Sequence, residues 1–205
     1  MKLTKKINLA LGLLAAVGVS KAQTPAPVGL LGTQYTELGF GFTDIEHLSD
    51  NSYNLGAAAN TPLIPGKLDG GATYSYSWMR GPFKGHANTI GGYSTAYTVL
   101  NGVKPFVGAG LGYRWISSGV SDDRALWGGT AGVEIPAGVV TITPRINYAD
   151  DFKHSPESSQ EWTFQVEANY WFSKTSAVFG SIGKTDLRRN SSDSWNYVVG
   201  LRGRF

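Results

Sequence analysis

The stretch Trp195-Asn-Tyr-Val-Val-Gly-Leu-Arg-Gly-Arg-Phe205 ends the chain as an alternating strand. Counting back by twos from Phe205 places Val199 and Leu201 on one face, while Arg202 and Arg204 lie on the other. This length and alternation are typical of a transmembrane strand with one face toward lipid. They are also typical of an amphipathic strand in a soluble sheet, so the rest of the chain has to decide between the two.

The segments upstream repeat this alternation at short spacing and show no helical periodicity. We predict strands at 34–44, 52–60, 71–80, 86–99, 103–117, 124–136, 138–149, 161–173, 175–186 and 195–205. The sequence therefore predicts an all-β chain that forms a single antiparallel transmembrane β-barrel of ten strands over residues 34–205. Eight strands are the alternative count, because the second or the ninth segment could belong to a loop. The ninth is the less regular: Val178 and Ile182 compete with Phe179 for the outer face.

The predicted connections alternate in character along the chain. Those after the odd-numbered strands are polar and rich in Ser, Asp and Asn, whereas most of those after the even-numbered strands are tight. Asn101-Gly102 is a strong hairpin signal. Pro136-Ala137-Gly138 and Ser173-Lys174 are also tight, and the connection predicted at 61–70 is longer. Short turns on one rim and longer loops on the other are typical of outer-membrane barrels.

Aromatic residues on the predicted outer face fall near both rims. Aromatic rings favour the headgroup level of a membrane, so this distribution predicts two girdles with aliphatic and small residues between them. The predicted loop-side girdle comprises Tyr53, Trp78, Trp115, Trp127, Tyr148, Trp162 and Tyr197. The predicted turn-side girdle comprises Tyr97, Tyr170, Phe172 and Phe205.

Residues 1–22 are predicted to be a secretory signal peptide. A lysine-rich start precedes the short apolar stretch Ile7–Val19, and Ser20-Lys21-Ala22 places small residues at an expected cleavage site. Residues 23–33 follow as a periplasmic N-terminal linker rich in Pro and Gly. The net charge of +3 belongs largely to the lysines of the signal, so the mature chain is near neutral and no basic patch predicts nucleic-acid binding.

With these features the chain resembles the small outer-membrane β-barrel proteins of Gram-negative-type bacteria, in the porin-like superfamily. The resemblance is architectural and covers residues 34–205, the signal and Phe205. It implies location in the cell outer membrane, among outer-membrane lipid and lipopolysaccharide. It also implies that the barrel-assembly machinery reads Phe205 as an assembly signal at the end of the last strand.

The predicted inward faces carry charges of both signs. Folding the seventh and eighth strands together places Arg145 across from Gln165 and diagonal to Glu167, and Glu37 lies near the strand end that carries Arg202. Because the acids and bases nearly cancel, we expect a largely filled, salt-bridged interior and a structural or surface-interaction role. A narrow porin or channel for small solutes is the alternative. The predicted interior charge network comprises Glu37, Arg114, Glu134, Arg145, Glu167, Arg202 and Arg204.

No catalytic motif, cofactor or metal is expected. The spacing of Asp122-Asp123 and of Asp150–His154 does not match the omptin-like proteases. His154-Ser155-Pro156 does not match the His-x-Ser spacing of the lipid A deacylase barrels. His47, His86 and His154 fall on or beside predicted loops, where a single histidine is usually solvated. Acidic residues in the first predicted loop region are expected to be hydrated: Asp44, Glu46 and Asp50.

Overall fold

A computed structural model describes residues 29–45, 51–80, 85–118, 120–121, 123–152, 160–187 and 193–205. Residues 1–28, and with them the predicted signal peptide, lie outside the described residues. Ten long strands account for most of the described chain: β1 Tyr35–Ile45, β2 Asn51–Ile64, β3 Leu68–Arg80, β4 Gly85–Tyr97, β5 Lys104–Ser118, β6 Arg124–Ala137, β7 Val140–Asp151, β8 Glu161–Trp171, β9 Ser176–Leu187 and β10 Ser194–Arg204. The short segment Val120–Ser121 extends the hairpin after β5.

The ten strands form one closed antiparallel barrel. Each pairs with its neighbour in sequence, and β1 pairs with β10 from Tyr35↔Arg204 to Ile45↔Ser194. Closure matters because an open sheet would leave an edge of unpaired backbone N–H and C=O groups. The prediction of a ten-stranded antiparallel barrel is confirmed, and the eight-stranded alternative is wrong because both the second and the ninth segments pair over their full length.

The connection between β2 and β3 is shorter than the sequence predicts. The prediction placed it at 61–70, but pairing continues to Ile64↔Leu68 and leaves a turn at 65–67. A register shift between Pro62 and Ile64 accommodates the proline, which has no N–H to donate to the ladder. The turn after β4 is the predicted Asn101-Gly102, in which both residues have positive φ, 49° and 85°. Glycine tolerates this region without steric cost, and Asn is enriched there.

The outer surface of the barrel is apolar and exposed. Leu111 is 65% exposed, Val107 62%, Phe164 61% and Leu201 59%. All four lie at outward-facing alternating positions of their strands, as the sequence predicts for Leu201. Buried polar groups such as Glu167 and Arg202 lie at the opposite positions of β8 and β10. None of the described residues belongs to a helix long and apolar enough to cross a membrane.

Two aromatic residues face inward, one of them against the sequence-based expectation. Tyr97, predicted for the outer girdle, is only 8% exposed, and Phe179, which competed with its neighbours for the outer face, is 6% exposed. Phe179 pairs with Asn169 and Gly200, so Val178 and Ile182 take the outer positions. The interior accepts the ring because Gly200 and Gly39 have no side chain where Phe179 lies. Trp171 and Phe106, for which the sequence had predicted no interior role, are also buried.

Substitutions on the two faces should separate lipid-facing from interior positions. We expect Leu111→Arg, near the middle of β5, to cost about 2–4 kcal/mol of stability, and Leu201→Arg to cost less because it lies nearer a rim. Val198→Thr, on the inward face of β10, should cost least. Urea unfolding of the barrels in lipid vesicles measures all three. Equal resistance of Leu111→Arg and Val198→Thr would contradict the face assignment.

Candidate functional site in the barrel interior

Arg202 is the centre of a buried charge network at the seam where the barrel closes. Its Nε lies 2.6 Å from Glu37 Oε2, and one of its terminal nitrogens lies 2.7 Å from Glu167 Oε1. It also donates to Asn169 Oδ1, and the ring of Phe179 lies 4.1 Å from the guanidinium carbon. The side chain of Arg202 is only 4% exposed, so its charge depends on these partners and not on water.

Arg145 extends the network from β7. Its Nε donates to Gln165 Oε1 at 3.1 Å, and its Nη2 lies 3.3 Å from Glu167 Oε2. Strand register produces this geometry, because Arg145 pairs directly with Gln165, two positions from Glu167 on the same strand. Arg145, Glu167, Arg202 and Glu37 thus form a chain of alternating sign with no net charge.

Polar side chains continue the network around the barrel wall. Gln165 donates to Ser181 Oγ at 2.8 Å and accepts from Asn147 at 3.3 Å. Asn147 in turn accepts from Thr130 at 2.8 Å. Consecutive strands from β6 to β9 are therefore connected by side chains as well as by backbone. This arrangement satisfies interior polar groups that would otherwise be costly to bury.

A second charged cluster lies at the turn-side end of the lumen and holds the chain segment before β1. Glu134 Oε2 accepts hydrogen bonds from the backbone N–H groups of Leu30, at 2.5 Å, and Leu31, at 3.1 Å. Lys104 lies 3.1 Å from the other Glu134 oxygen and donates to the Leu31 carbonyl at 2.6 Å. Arg204 donates to the Gly29 carbonyl at 3.3 Å.

Further contacts fix the same segment from other strands. Asp69 Oδ2 accepts from the Gly32 N–H at 2.8 Å, and Asn60 donates to the Thr33 carbonyl at 2.8 Å. Leu30 packs against Trp171 and Ala177 in a small buried apolar cluster. The segment Gly29–Thr33, which the sequence assigned to a linker, therefore lies across the turn-side end of the barrel; we call it the N-terminal plug.

A cavity of about 500 Å³ lies between the charge network and the plug. One wall carries the network: Glu37, Arg145, Glu167 and Arg202. Small or glycine residues contribute much of another: Ala58, Thr73, Gly110 and Gly128. Leu30 and Leu31 of the plug also line it. Ion pairs thus occupy one side of the interior, and the cavity occupies the other side.

The predicted interior charges separate into distinct places. Glu37, Arg145, Glu167 and Arg202 come together, whereas Glu134 and Arg204 belong to the turn-side cluster. Arg114 lies toward the loop side, where its Nε donates to Thr89 at 3.3 Å. Phe205 is 75% exposed at the turn-side rim, and its N–H bonds to the Gln34 carbonyl at 3.3 Å.

Sequence reasoning missed several interior groups that the strand alternation contains. Asp69 shares the inward parity of Thr73 on β3, and Lys104 shares that of Arg114 on β5. Both lie at or beyond the ends of the predicted strands, so the sequence prediction did not assign them to a face of the sheet. A further ion pair, Arg124 to Asp151 at 3.1 Å, lies near the loop side.

The described part of the chain contains no group of three or more His, Cys, Asp or Glu residues placed to hold a metal ion. The ring of His86 lies 5.9 Å from that of Tyr76 near the loop-side rim. His47, His154, Glu46 and Asp50 lie outside the described residues.

Removing the two arginines should have unequal effects. Arg202→Met leaves both Glu167 and Glu37 without their closest cation, so we expect a loss of about 3–5 kcal/mol. Arg145→Met should cost less, because Glu167 keeps Arg202 and the Arg145 side chain is already 30% exposed. Adding Glu167→Gln to Arg202→Met should recover part of the loss. Urea unfolding in vesicles measures this series, and near-neutral values for both single variants would show that water solvates the network.

Comparisons with known proteins give an architectural likeness. No protein-family model matches the chain, and no curated protein matches it. Among solved structures it is similar to the translocator domain of the autotransporter NalP from Neisseria meningitidis (8% identity, 98% of this chain and 95% of that chain, TM-score 0.47). It is also similar to Neisserial surface protein A (12%, 84% and 97%, 0.43) and to the KdgM porin (12%, 83% and 99%, 0.43). The resemblance to outer-membrane β-barrels is one of architecture only.

Proposed function

We propose that this chain is an outer-membrane β-barrel with a structural or surface-interaction role, whose lumen is closed at the turn side by the N-terminal plug. The observation that carries the proposal is the seating of Gly29–Thr33. Glu134 and Asp69 accept hydrogen bonds from its backbone N–H groups. Asn60, Lys104 and Arg204 donate to its backbone carbonyls. We expect a segment that is anchored by so many strands to close the turn-side end of the lumen.

The outer surface supports the membrane location. Exposed Leu, Val and Phe side chains surround the barrel, and an apolar surface of this extent is unfavourable in water. Aromatic rings pack together toward the loop-side rim: the centroids of Tyr148 and Trp162 lie 4.8 Å apart, and those of Tyr53 and Trp78 5.8 Å apart. Such clusters match an interfacial girdle.

The partners we propose follow from this location. Outer-membrane lipid and lipopolysaccharide would contact the apolar surface and its girdles. The barrel-assembly machinery would read Phe205, whose exposed position at the rim leaves the ring accessible. Nucleic acid is not among the proposed partners, because the chain has no basic patch. Export through the signal at residues 1–22 remains a prediction from the sequence.

A narrow channel for small solutes is the second candidate. The cavity of about 500 Å³ and the glycines that line it favour this function, since they leave space that side chains do not occupy. In that case the N-terminal plug would have to move for solutes to pass. We do not propose a catalytic activity, because the spacings of Asp122-Asp123, Asp150–His154 and His154-Ser155-Pro156 match neither the omptin-like proteases nor the lipid A deacylase barrels.

Planar-bilayer conductance separates the two candidates. We expect the mature chain, beginning at Gln23, to show little steady ion conductance, because the plug closes one end. A chain beginning at Gln34, which lacks the plug but retains every strand, should conduct steadily. A chain beginning at Gly29 is the matched control and should behave like the mature chain, because it removes only residues upstream of the plug.

Equal, steady conductance from the mature chain and the chain beginning at Gln34 would contradict closure by the plug and favour the channel. Absence of conductance from both would show that the strand interior itself blocks ions. The antiparallel β signal in circular dichroism and resistance to urea confirm that each chain is folded before the recordings are compared.

A further inference from the structure

Arg145 lines the cavity with part of its guanidinium group unused. Its side chain is 30% exposed, whereas that of Arg202 is 4% exposed. Its Nε donates to Gln165 Oε1 at 3.1 Å, and its Nη2 donates to Glu167 Oε2 at 3.3 Å. Its Nη1 donates to no described residue and is not a buried atom. Because a guanidinium group carries five N–H donors, most of them remain for a ligand.

A second donor lies beside Arg145. Asn147 is the next inward residue of β7, and it donates to the same Gln165 oxygen at 3.3 Å. Arg145 and Asn147 are therefore both within hydrogen-bond distance of one atom, and both line the cavity. Asn147 Oδ1 already accepts from Thr130 at 2.8 Å. The side-chain oxygens here thus already accept hydrogen bonds, whereas N–H donors remain. We call Arg145 and Asn147 the donor corner.

Unused N–H donors match a ligand that supplies oxygen acceptors. A carboxylate is the best match for a guanidinium group, because its two oxygens can lie against two of the N–H groups in one plane. Such charge-assisted hydrogen bonds are also stronger than those to a neutral oxygen. The donor corner therefore favours an organic anion over an uncharged solute of the same size.

The acidic residues that line the cavity do not present a free charge at the donor corner. Glu167 is 3% exposed, and Arg202 lies 2.7 Å from its other oxygen. Glu134 and Asp69 are each 1% exposed and accept hydrogen bonds from the plug. Glu37 lies at the other end of the network and pairs with Arg202. The accessible charge at the donor corner is therefore that of the guanidinium group.

We propose that the lumenal cavity binds a small organic carboxylate, with its carboxylate oxygens against Arg145 and a further oxygen near Asn147. A volume of about 500 Å³ lies within the range of small-molecule sites. The inference stands whether or not the plug closes the turn-side end of the lumen.

The wall of β5 leaves a route to this site from the loop side. All the inward positions of β5 between Phe106 and Arg114 lack a side chain: Gly108, Gly110 and Gly112. Arg114 lies toward the loop side, and only its Nε forms a hydrogen bond with a described residue, to Thr89 at 3.3 Å. An anion that enters opposite the plug would therefore pass a second guanidinium group before it reaches Arg145.

Isothermal titration of the mature chain in detergent micelles tests this site. The probe is sodium gluconate. Sorbitol, which has a similar carbon skeleton and hydroxyl groups without the carboxylate, is the neutral comparison, and choline chloride is the cationic one. We expect saturable binding of gluconate and none of sorbitol or choline. Arg145→Gln removes the charge, while Glu167 keeps its closer partner Arg202. It should weaken gluconate roughly ten-fold or more, as expected for hydrogen bonds to a charged group.

Two further variants make the test decisive. Lys174→Gln removes one positive charge at an exposed turn position outside the cavity and should leave the affinity unchanged. Arg145→Lys keeps the charge but loses the planar pair of nitrogens, so it should weaken gluconate several-fold, and it provides the test if Arg145→Gln does not fold. The inference is overturned if gluconate does not bind saturably, if sorbitol binds as tightly as gluconate, if choline binds in its place, or if the Arg145 variants bind as tightly as the natural chain.

Discussion

Closure of the sheet between β1 and β10 is the constraint on which the rest of this structure depends. A barrel in lipid cannot leave backbone groups unpaired at an edge, so the first and last strands must pair along their whole length. Their pairing sets Glu37 directly opposite Arg202 and thereby positions the central ion pair of the interior. Once the barrel is closed, the alternation of side chains along each strand places every residue either on the outer surface or in the lumen.

The lumen that results is balanced in charge but not uniformly filled. The network around Arg202 and the cluster around Glu134 each combine acids with bases, which limits the cost of burying them. Glycines on β5 and β6, such as Gly110 and Gly128, leave part of the opposite wall without side chains, and the cavity extends there. A fully packed interior would need large residues at those positions. Side chains thus occupy the lumen where the charges meet and leave space where the glycines lie.

The N-terminal plug is held by buried charged side chains and also lines the cavity. Glu134 and Asp69 accept hydrogen bonds from backbone N–H groups of the plug, so buried carboxylates at the turn-side end hold the segment that we propose closes the lumen there. Asp69 holds the plug with one oxygen, and its other oxygen is buried without a hydrogen-bond partner.

Alternation and pairing between consecutive strands were enough to predict ten strands, with eight as the alternative, the tight turn at Asn101-Gly102 and the opposition of Arg145 to Gln165. Packing across the sheet and across the lumen set the remaining features. Tyr97 and Phe179 turned inward where across-sheet neighbours left room, and β2 and β3 extended through Pro62 by a register shift. The seating of the plug and the cavity also depend on residues far apart in sequence that meet across the lumen. Local alternation predicts which face of the sheet a residue takes, but it does not predict which residues face each other across the lumen.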